Sequence, residues 1–287
     1  MQRHNRAFAF AVGLNLIFIF VEVVAGILAG SLALLADAGH NATDVLSLLL
    51  AWGASLLATR SPNRRRTYGL RRATILAALA NSLLIMGAVG VISWEAAHRF
   101  FQPGATNASV VIVVALVGVV INTATALLFL RDRKTDLNLR AAFAHMTADA
   151  GISAGVVLSG VLLVIFGWVW LDPLVSLIIA VAIVWGTWSI LRGSLNLALD
   201  GVPEDVDLNE VQSYLASLPG VLEVHDLHVW ALSTTETALT AHLLRQDATS
   251  EDELLREAAR ALCERFSICH ITLQWERGDT DVCGAPC

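Results

Sequence analysis

The sequence predicts a polytopic α-helical membrane protein with six transmembrane helices, followed by a small α+β domain. Of its 287 residues, 56% are hydrophobic and only 15% are charged, and the mean hydropathy is +0.64. These values exclude an ordinary soluble globular protein. After Asp200 the composition changes to a mixture of polar and apolar residues, which predicts a separate soluble domain.

Six apolar stretches are each long enough to cross a hydrocarbon core of about 30 Å, which takes roughly 20 helical residues. They are Ala7–Gly30, Ser31–Thr59, Thr74–Ala97, Ser109–Leu130, Leu139–Gly167 and Leu171–Ile190. The first stretch is longer than a signal-peptide core, and no small-residue cleavage site separates it from the second. We therefore expect all six to span the membrane.

Basic residues predict the orientation of these spans. Arginines are concentrated between spans two and three and between spans four and five, whereas the opposite loops contain only Arg99. By the positive-inside rule the arginine-rich loops are cytoplasmic, and so are both termini. We expect a multi-pass protein of the cell (inner) membrane.

The C-terminal tail has the element order α-β-β-α-β. The predicted elements are a helix at Val206–Ser217, strands at Val221–Leu232 and Thr237–Arg245, a helix from Ser250, and a strand at Ile268–Glu276. This order is typical of an α+β layer. The sequence thus predicts a transmembrane domain at residues 1–200 and a cytoplasmic domain at residues 201–287, with a mobile end.

Composition restricts the function classes further. All four cysteines lie in the cytoplasmic tail, so we expect reduced thiols rather than a disulfide framework. No P-loop is present, so ATP-driven pumping has no support within the chain. The net charge of −6 arises in the tail, and we expect no nucleic-acid partner.

Two copies of one motif lie inside predicted spans. In each copy a histidine and an aspartate are four residues apart, His40 with Asp44 and His145 with Asp149, on one helix face. An ionisable residue near the bilayer centre costs roughly 2.5–3.5 kcal/mol, so a compensating partner is expected. Two imidazole nitrogens and two carboxylate oxygens suit a four-coordinate Zn²⁺. The motif pair indicates a metal ion in transit.

The depth of these four residues in the membrane supports a shared metal site. At 1.5 Å per residue, His40 and Asp44 lie about 14 and 20 Å from the outer face. On the antiparallel span five, Asp149 and His145 lie about 15 and 9 Å from the cytoplasmic face. The alternative is a structural helix–helix contact in which the pairs satisfy one another, but such a contact does not need the same motif twice at matched depth.

The other polar residues in the spans are weaker candidates for binding the ion. Glu22, Asn15, Asn81 and Asn122 are expected to form interhelical hydrogen bonds rather than to bind the ion. Asp37 lies two turns before Asp44 on about the same face. It could guide ions toward the outer mouth or act at the helix end.

The chain resembles the cation diffusion facilitator family, in particular proton-coupled zinc exporters of the bacterial cobalt-zinc-cadmium resistance type. The resemblance rests on Ser31–His40 running into Asp44, Tyr68-Gly69, His145–Asp149, Asp172-Pro173, Leu199–Pro203 and His225–Trp230. It implies a homodimer with six spans per subunit and a metallochaperone-like cytoplasmic domain. It also implies that His40, Asp44, His145 and Asp149 bind the transported ion, and that a histidine at the first position favours zinc over cadmium.

The resemblance places further ligands in the tail. It implies metal binding at His225, His242 and Glu276, with Cys283 and Cys287 nearby, where Zn²⁺ could be regulatory. The two cysteines could equally be ordinary tail thiols. His225 and His228 differ by three in a strand and are expected to point to opposite faces, so they should not share one ion.

A charge clasp is also implied by the resemblance. Arg72 opens span three, and Asp200 closes the link from span six to the tail, so both belong to the cytoplasmic side. The family pairs a basic residue and an acid at these positions near the dimer axis. Alternatively, Arg72 simply binds lipid phosphates.

The expected function is efflux of Zn²⁺ in exchange for protons by alternating access, with the lipid bilayer as the surroundings. Zn²⁺, two carboxylates and two neutral imidazoles sum to zero charge, and protons can replace the ion after it leaves. Selectivity among Zn²⁺, Cd²⁺ and Co²⁺ stays open. The alternatives are a passive divalent-metal channel and a metal-responsive membrane sensor. An enzyme is not expected, because the His-Glu-x-x-His pattern of metal-dependent hydrolases is absent.

Overall fold

A computed structural model describes residues 2–102, 104–129, 137–245 and 251–276. The helices are α1 (Gln2–Ala29), α2 (Leu32–Ala58), α3 (Ala73–Phe101), α4 (Ala108–Phe129), α5 (Leu137–Phe166), α6 (Leu171–Ala198), α7 (Leu208–Ala216) and α8 (Glu251–Phe266); the strands are β1 (Val221–Ala231), β2 (Thr237–Arg245) and β3 (Ile268–Glu276). The chain forms two compact units, one of Met1–Leu49 with Asn81–Trp188 and one of Leu50–Ala80 with Ser189–Cys287.

The six long helices confirm the predicted membrane fold. Within the described residues, five of them are long and apolar enough to cross a membrane, and α1 contributes a shorter apolar segment, Leu16–Ala29. The last long helix runs two turns beyond the predicted Ile190, because Leu191, Leu195 and Leu197 continue its apolar pattern. It ends where Asp200 adopts a left-handed backbone with φ 60°.

The first unit exposes large apolar side chains and buries several polar ones. Large apolar side chains such as Phe20, Leu28, Val91 and Trp94 are exposed. Its interior contains alanines and larger aliphatic residues together with a set of buried polar ones, among them Glu22, Ser31, Asp37, Asn41, Asn81, Asn122, Asp149, Ser153 and Asp172. Apolar side chains outside and polar contacts between helices are typical of a protein whose solvent is lipid.

A tight turn joins α1 to α2. Gly30 has φ 64° there, and a Cβ at this position would lie 2.8 Å from the carbonyl oxygen of Ala105. Only glycine fits this turn without strain. The turn sets where α2 begins and hence the position of the motif it carries.

The sheet of the second unit is mixed, in the order β1-β2-β3. Its β1 and β2 form an antiparallel hairpin, and β3 pairs parallel to β2 after the crossover through α8. Buried aliphatic residues of both short helices, including Val211, Leu215 and Leu262, pack on the sheet with Leu239 and Leu243. The predicted α-β-β-α-β order is confirmed, and the predicted bounds of β2 and β3 agree with the structure.

Two expectations about the tail were wrong. Cys263 and Cys269 form a disulfide, because the turn through Ser267 between α8 and β3 brings their Cα atoms to 4.4 Å. In addition, β1 contains a bulge between His225 and His228. Their partners on β2 are two residues apart, so the bulge places both histidines on one face of the sheet.

Candidate metal centres

The antiparallel helices α2 and α5 bring the two motif copies together. His40 Nε2 lies 3.2 Å from Asp149 Oδ1, and His145 Nε2 lies 3.1 Å from Asp44 Oδ2. His145 Nε2 is also 3.6 Å from the second oxygen of Asp149. Because the helices run in opposite directions, the first histidine of one motif meets the last aspartate of the other.

These spacings fit a tetrahedral metal centre. With Zn–N and Zn–O bonds of about 2.0 Å, neighbouring ligand atoms of a tetrahedron are about 3.3 Å apart. The three measured distances, 3.1, 3.2 and 3.6 Å, bracket this value. Asp44, His145 and Asp149 form a group whose ligand atoms all lie within 4.8 Å, and His40 joins it through Asp149.

The two ends of this centre differ in exposure. On the side of the α1–α2 turn, the Asp149 side chain is 1% exposed and that of His40 is 18% exposed. On the opposite side, Asp44 is 35% exposed and His145 is 43% exposed. The centre is closed at one end and open at the other.

Several of the other polar residues make interhelical contacts. Asn81 Nδ2 on α3 donates to Ser47 Oγ on α2 at 2.6 Å, and Asn41 Nδ2 donates to Glu22 Oε2 at 3.2 Å. Asn122 is buried, and the side chain of Asn15 lies outside the described residues. Asn41, which follows His40, was not among the polar residues singled out from the sequence.

The tail contains a second cluster. His225 and His242 are directly opposite each other on β1 and β2, and Glu276 ends β3 beside them. Glu276 Oε2 lies 3.0 Å from His225 Nε2, and Glu276 Oε1 lies 2.8 Å from His242 Nδ1. These three half-buried residues form a group whose ligand atoms all lie within 4.8 Å of one another.

The bulge in β1 adds a residue that sequence reasoning missed. Asp226 has a left-handed backbone with φ 52°, and its carboxylate lies 3.7 Å from His242 Nε2 and 3.1 Å from His228 Nε2. A bulge has no reliable sequence signature, so nothing in the pattern predicted this position. Cys283 and Cys287 lie outside the described residues.

Ion pairs surround the start of α3. Arg72 is hydrogen-bonded to Asp200, the pair named from the sequence, and both side chains are about half exposed. Arg71 forms a second, unpredicted pair with Glu236 at 2.8 Å. The next turn adds a hydrogen bond, from the backbone N–H of Thr234 to Thr74 Oγ1 at 3.1 Å.

Comparison with known proteins agrees with this architecture. The family model described as the cation efflux transmembrane domain matches residues 8–197, which is more than half of the chain. The chain belongs to the cation efflux, or cation diffusion facilitator, family. A second model, a dimerisation domain described as the cation efflux protein cytoplasmic domain, matches residues 203–278.

Relatives of this cation efflux protein match along nearly its whole length. It is 36% identical over 274 residues to the metal cation efflux system protein CzcD of Cupriavidus metallidurans (95% of this chain, 87% of the relative). It is 33% identical over 277 residues to the zinc transporter ZitB of Escherichia coli (96% and 88%). It is also 33% identical over 264 residues to the cadmium, cobalt and zinc/H(+)-K(+) antiporter of Bacillus subtilis (90% and 85%).

One solved structure, the metal-bound C-terminal domain of the CzcD transporter, is 40% identical over 25% of this chain and 99% of its own, with a TM-score of 0.24. Family membership makes the cation efflux protein a multi-pass membrane transporter rather than an enzyme. The dimerisation domain supports a homodimer.

Proposed function

We propose that this cation efflux protein exports Zn²⁺ in exchange for protons by alternating access, and that His40, Asp44, His145 and Asp149 bind the ion. The observation that carries the proposal is the interlocked pairing of the two motifs on α2 and α5, with nitrogen–oxygen distances of 3.1–3.6 Å. Two nitrogens and two oxygens at tetrahedral spacing are a donor set that zinc prefers.

The net charge of the metal centre explains why zinc would be exchanged for protons. Zn²⁺ held by two carboxylates and two neutral imidazoles has no net charge, which lowers the cost of crossing a hydrocarbon environment. When the ion leaves, the carboxylates need another positive partner. Protons fill this role because they compete with the metal for the same nitrogen and oxygen atoms.

The uneven exposure of the centre supports alternating access. In this conformation Asp44 and His145 are open, whereas Asp149 is buried toward the α1–α2 turn. With arginine-rich loops in the cytoplasm, the open end faces inward, so this is a conformation that accepts zinc from the cytoplasm. We place both termini in the cytoplasm and the protein in the inner membrane on the same basis.

We propose a domain boundary at residue 200, with the transmembrane domain at residues 1–200 and the cytoplasmic domain at residues 201–287. The matched ranges of the two family models, 8–197 and 203–278, support this division. The change in composition at Asp200 supports it as well.

The test uses purified protein in liposomes with a pH-sensitive dye inside. A zinc gradient should drive proton movement in the opposite direction, and an imposed proton gradient should drive zinc uptake. A passive channel would carry zinc with no proton movement, and a sensor would carry neither. Either outcome, obtained with protein shown to be folded, would overturn the proposal. Repeating the assay with Cd²⁺ and Co²⁺ measures selectivity, since relatives bear names that include these metals.

We also propose a regulatory zinc site in the tail, at His225, His242 and Glu276, with Asp226 beside it. Its support is the convergence of three strands on one cluster of ligand atoms. The residues fit zinc because they supply two imidazoles and a carboxylate at contact distance.

Zinc stoichiometry tests the tail site separately from transport. In a full-length Asp149→Ala background, which removes the central site, we expect tail-bound zinc to persist and to be lost on adding His242→Ala. The matched control is His270→Ala, an exposed histidine of β3 that packs against the ring of Tyr68 and lies outside the cluster. Equal zinc content in the double variant and its parent would exclude the site. Cys283→Ser and Cys287→Ser measure the contribution of the tail thiols.

A further inference from the structure

Two buried carboxyl groups lie beside the central site without belonging to the proposed ligand set. Glu22 on α1 and Asp37 on α2 are both 0% exposed. Asn41, one turn beyond Asp37 on α2, holds the Glu22 carboxyl by a hydrogen bond, and the charge of Asp37 acts on Glu22. Buried carboxyl groups close to each other are rare, because two negative charges repel strongly where no water screens them. The pair therefore needs a positive partner.

The hydrogen bonds of the pair show what is missing. Asn41 Nδ2 donates to Glu22 Oε2 at 3.2 Å, and Ser153 Oγ donates to Asp37 Oδ2 at 2.9 Å. Within the described part of the chain, Glu22 Oε1 and Asp37 Oδ1 receive no hydrogen bond from a donor group. One proton would turn either carboxylate into an O–H donor toward the other, which satisfies both oxygens at once.

No arginine or lysine faces this pair among the described residues. The charged or titratable groups that act on Asp37 are Glu22 from α1, His40 from its own helix and Asp149 from α5. Glu22 is acted on by Asp37. Because the nearest cationic candidate is a proposed metal ligand, a proton is the positive charge best suited to the pair itself.

The position of the pair suggests a role in transport. Asp37 precedes His40 by three residues on α2, and its partner Ser153 follows Asp149 by four residues on α5. The pair thus lies about one helical turn, or about 5.4 Å, from the metal centre on the side of the α1–α2 turn. In the proposed orientation this is the outer side, from which protons enter in exchange for exported metal.

We propose that Glu22 and Asp37 form a proton-binding site that supplies a proton to the metal centre as zinc leaves. The O–H bond of the pair breaks, the proton passes to the carboxylate of Asp149 or the imidazole of His40, and a proton from the outer solution then binds to the pair in its place. This inference rests on the proposed exchange of zinc for protons. It assigns the proton donor for the emptied site to groups that do not bind the metal.

The alternative is a structural hydrogen bond that joins α1 to α2. Glu22→Gln separates the two, because the amide keeps the size of the side chain and can still accept from Asn41, but it cannot release a proton. Asp37→Asn makes the same change on the other member. The matched control is Glu95→Gln, which removes a carboxylate of the same unit that pairs with Arg99 away from the centre.

Full-length protein in liposomes is assayed for zinc flux, proton flux and zinc affinity. For Glu22→Gln and Asp37→Asn we expect zinc affinity to be kept, while proton-coupled turnover falls about 100-fold, the range of a lost proton-transfer group. Glu95→Gln should match the wild type. Unchanged turnover and unchanged protons per zinc in both variants would overturn the inference, as would a loss of zinc affinity that assigns the pair to metal binding.

An infrared measurement decides the matter without transport. A protonated carboxyl group has a C=O stretching band that shifts in heavy water, and we expect this band in the wild type and in Glu95→Gln but not in Glu22→Gln. Absence of the band from folded wild type would exclude a held proton. If wild type shows no zinc-driven proton flux, the proposed exchange fails, and the infrared band still reports on the pair.

Discussion

Asp172 at the start of α6 holds the beginning of α2 through Ser31. Ser31 Oγ donates to the carboxylate, and the backbone N–H groups of Leu32 and Ala33 donate to it at 2.7 and 3.4 Å. The carboxylate thus satisfies amides that have no partner within α2 and places a negative charge at the positive end of that helix. Since α2 carries two of the proposed metal ligands, Asp172 determines where those ligands lie.

Asp172→Ala should therefore weaken the metal centre without touching it. Loss of a helix cap costs about 0.5–2 kcal/mol, and we expect a lower unfolding temperature together with lower zinc affinity. Both are measured on detergent-solubilised protein, with the exposed Asp205→Ala as control. Equal zinc affinity in Asp172→Ala and the control would show that the start of α2 does not position the site.

Asp149 should be the more sensitive of the two aspartates in the proposed centre. It is 1% exposed and lies near both histidines, whereas Asp44 is 35% exposed and contacts His145. Asp149→Ala should abolish zinc transport, and Asp44→Ala should reduce it by at least about 100-fold, because losing a ligand costs more than the roughly 10–100-fold cost of losing an outer partner of a ligand. Zinc resistance of a sensitive cell, with membrane insertion checked by antibody, measures both. Full resistance with either folded variant would refute the assignment.

His40→Asp should relax selectivity. The substitution replaces an imidazole by a carboxylate, so the centre becomes harder and net negative, and the geometric constraint of the ring is lost. We expect cadmium flux to rise relative to zinc flux in liposomes. A ratio equal to that of the wild type would place selectivity elsewhere.

The pair of Arg72 and Asp200 should matter for coupling more than for stability. Both side chains are about half exposed, so the pair contributes only about 0–1 kcal/mol. Asp200→Arg should nevertheless loosen the dimer or uncouple the tail from transport, and adding Arg72→Asp should partly restore activity. Dimer content by crosslinking and zinc flux are the measurements.

The neighbouring ion pair provides a control for the charge reversal at Arg72 and Asp200. Arg71 and Glu236 lie 2.8 Å apart, and Glu236→Arg should weaken activity without rescue by Arg72→Asp. A single Asp200→Arg variant with normal dimerisation and flux would leave Arg72 only its role at the lipid surface.

Periodicity and composition were sufficient to predict most of the architecture. A span must be apolar along about 20 residues and needs no distant partner to be recognised, so six spans follow from sequence alone. The tail strands were equally readable, with Thr237–Arg245 and Ile268–Glu276 as found. His40, Asp44, His145 and Asp149 were identifiable because a charged residue in an apolar helix requires an explanation.

The sequence by itself thus determined the membrane fold, the helix–strand order of the tail and the candidate ligands, since these depend on local pattern. Only the tertiary structure decided which groups meet. The hydrogen bond from Asn41 to Glu22, the capping of α2 by Asp172 and the approach of Asp226 to His242 join residues on different elements. Such contacts arise from helix packing and a strand bulge, and no spacing along the chain encodes them.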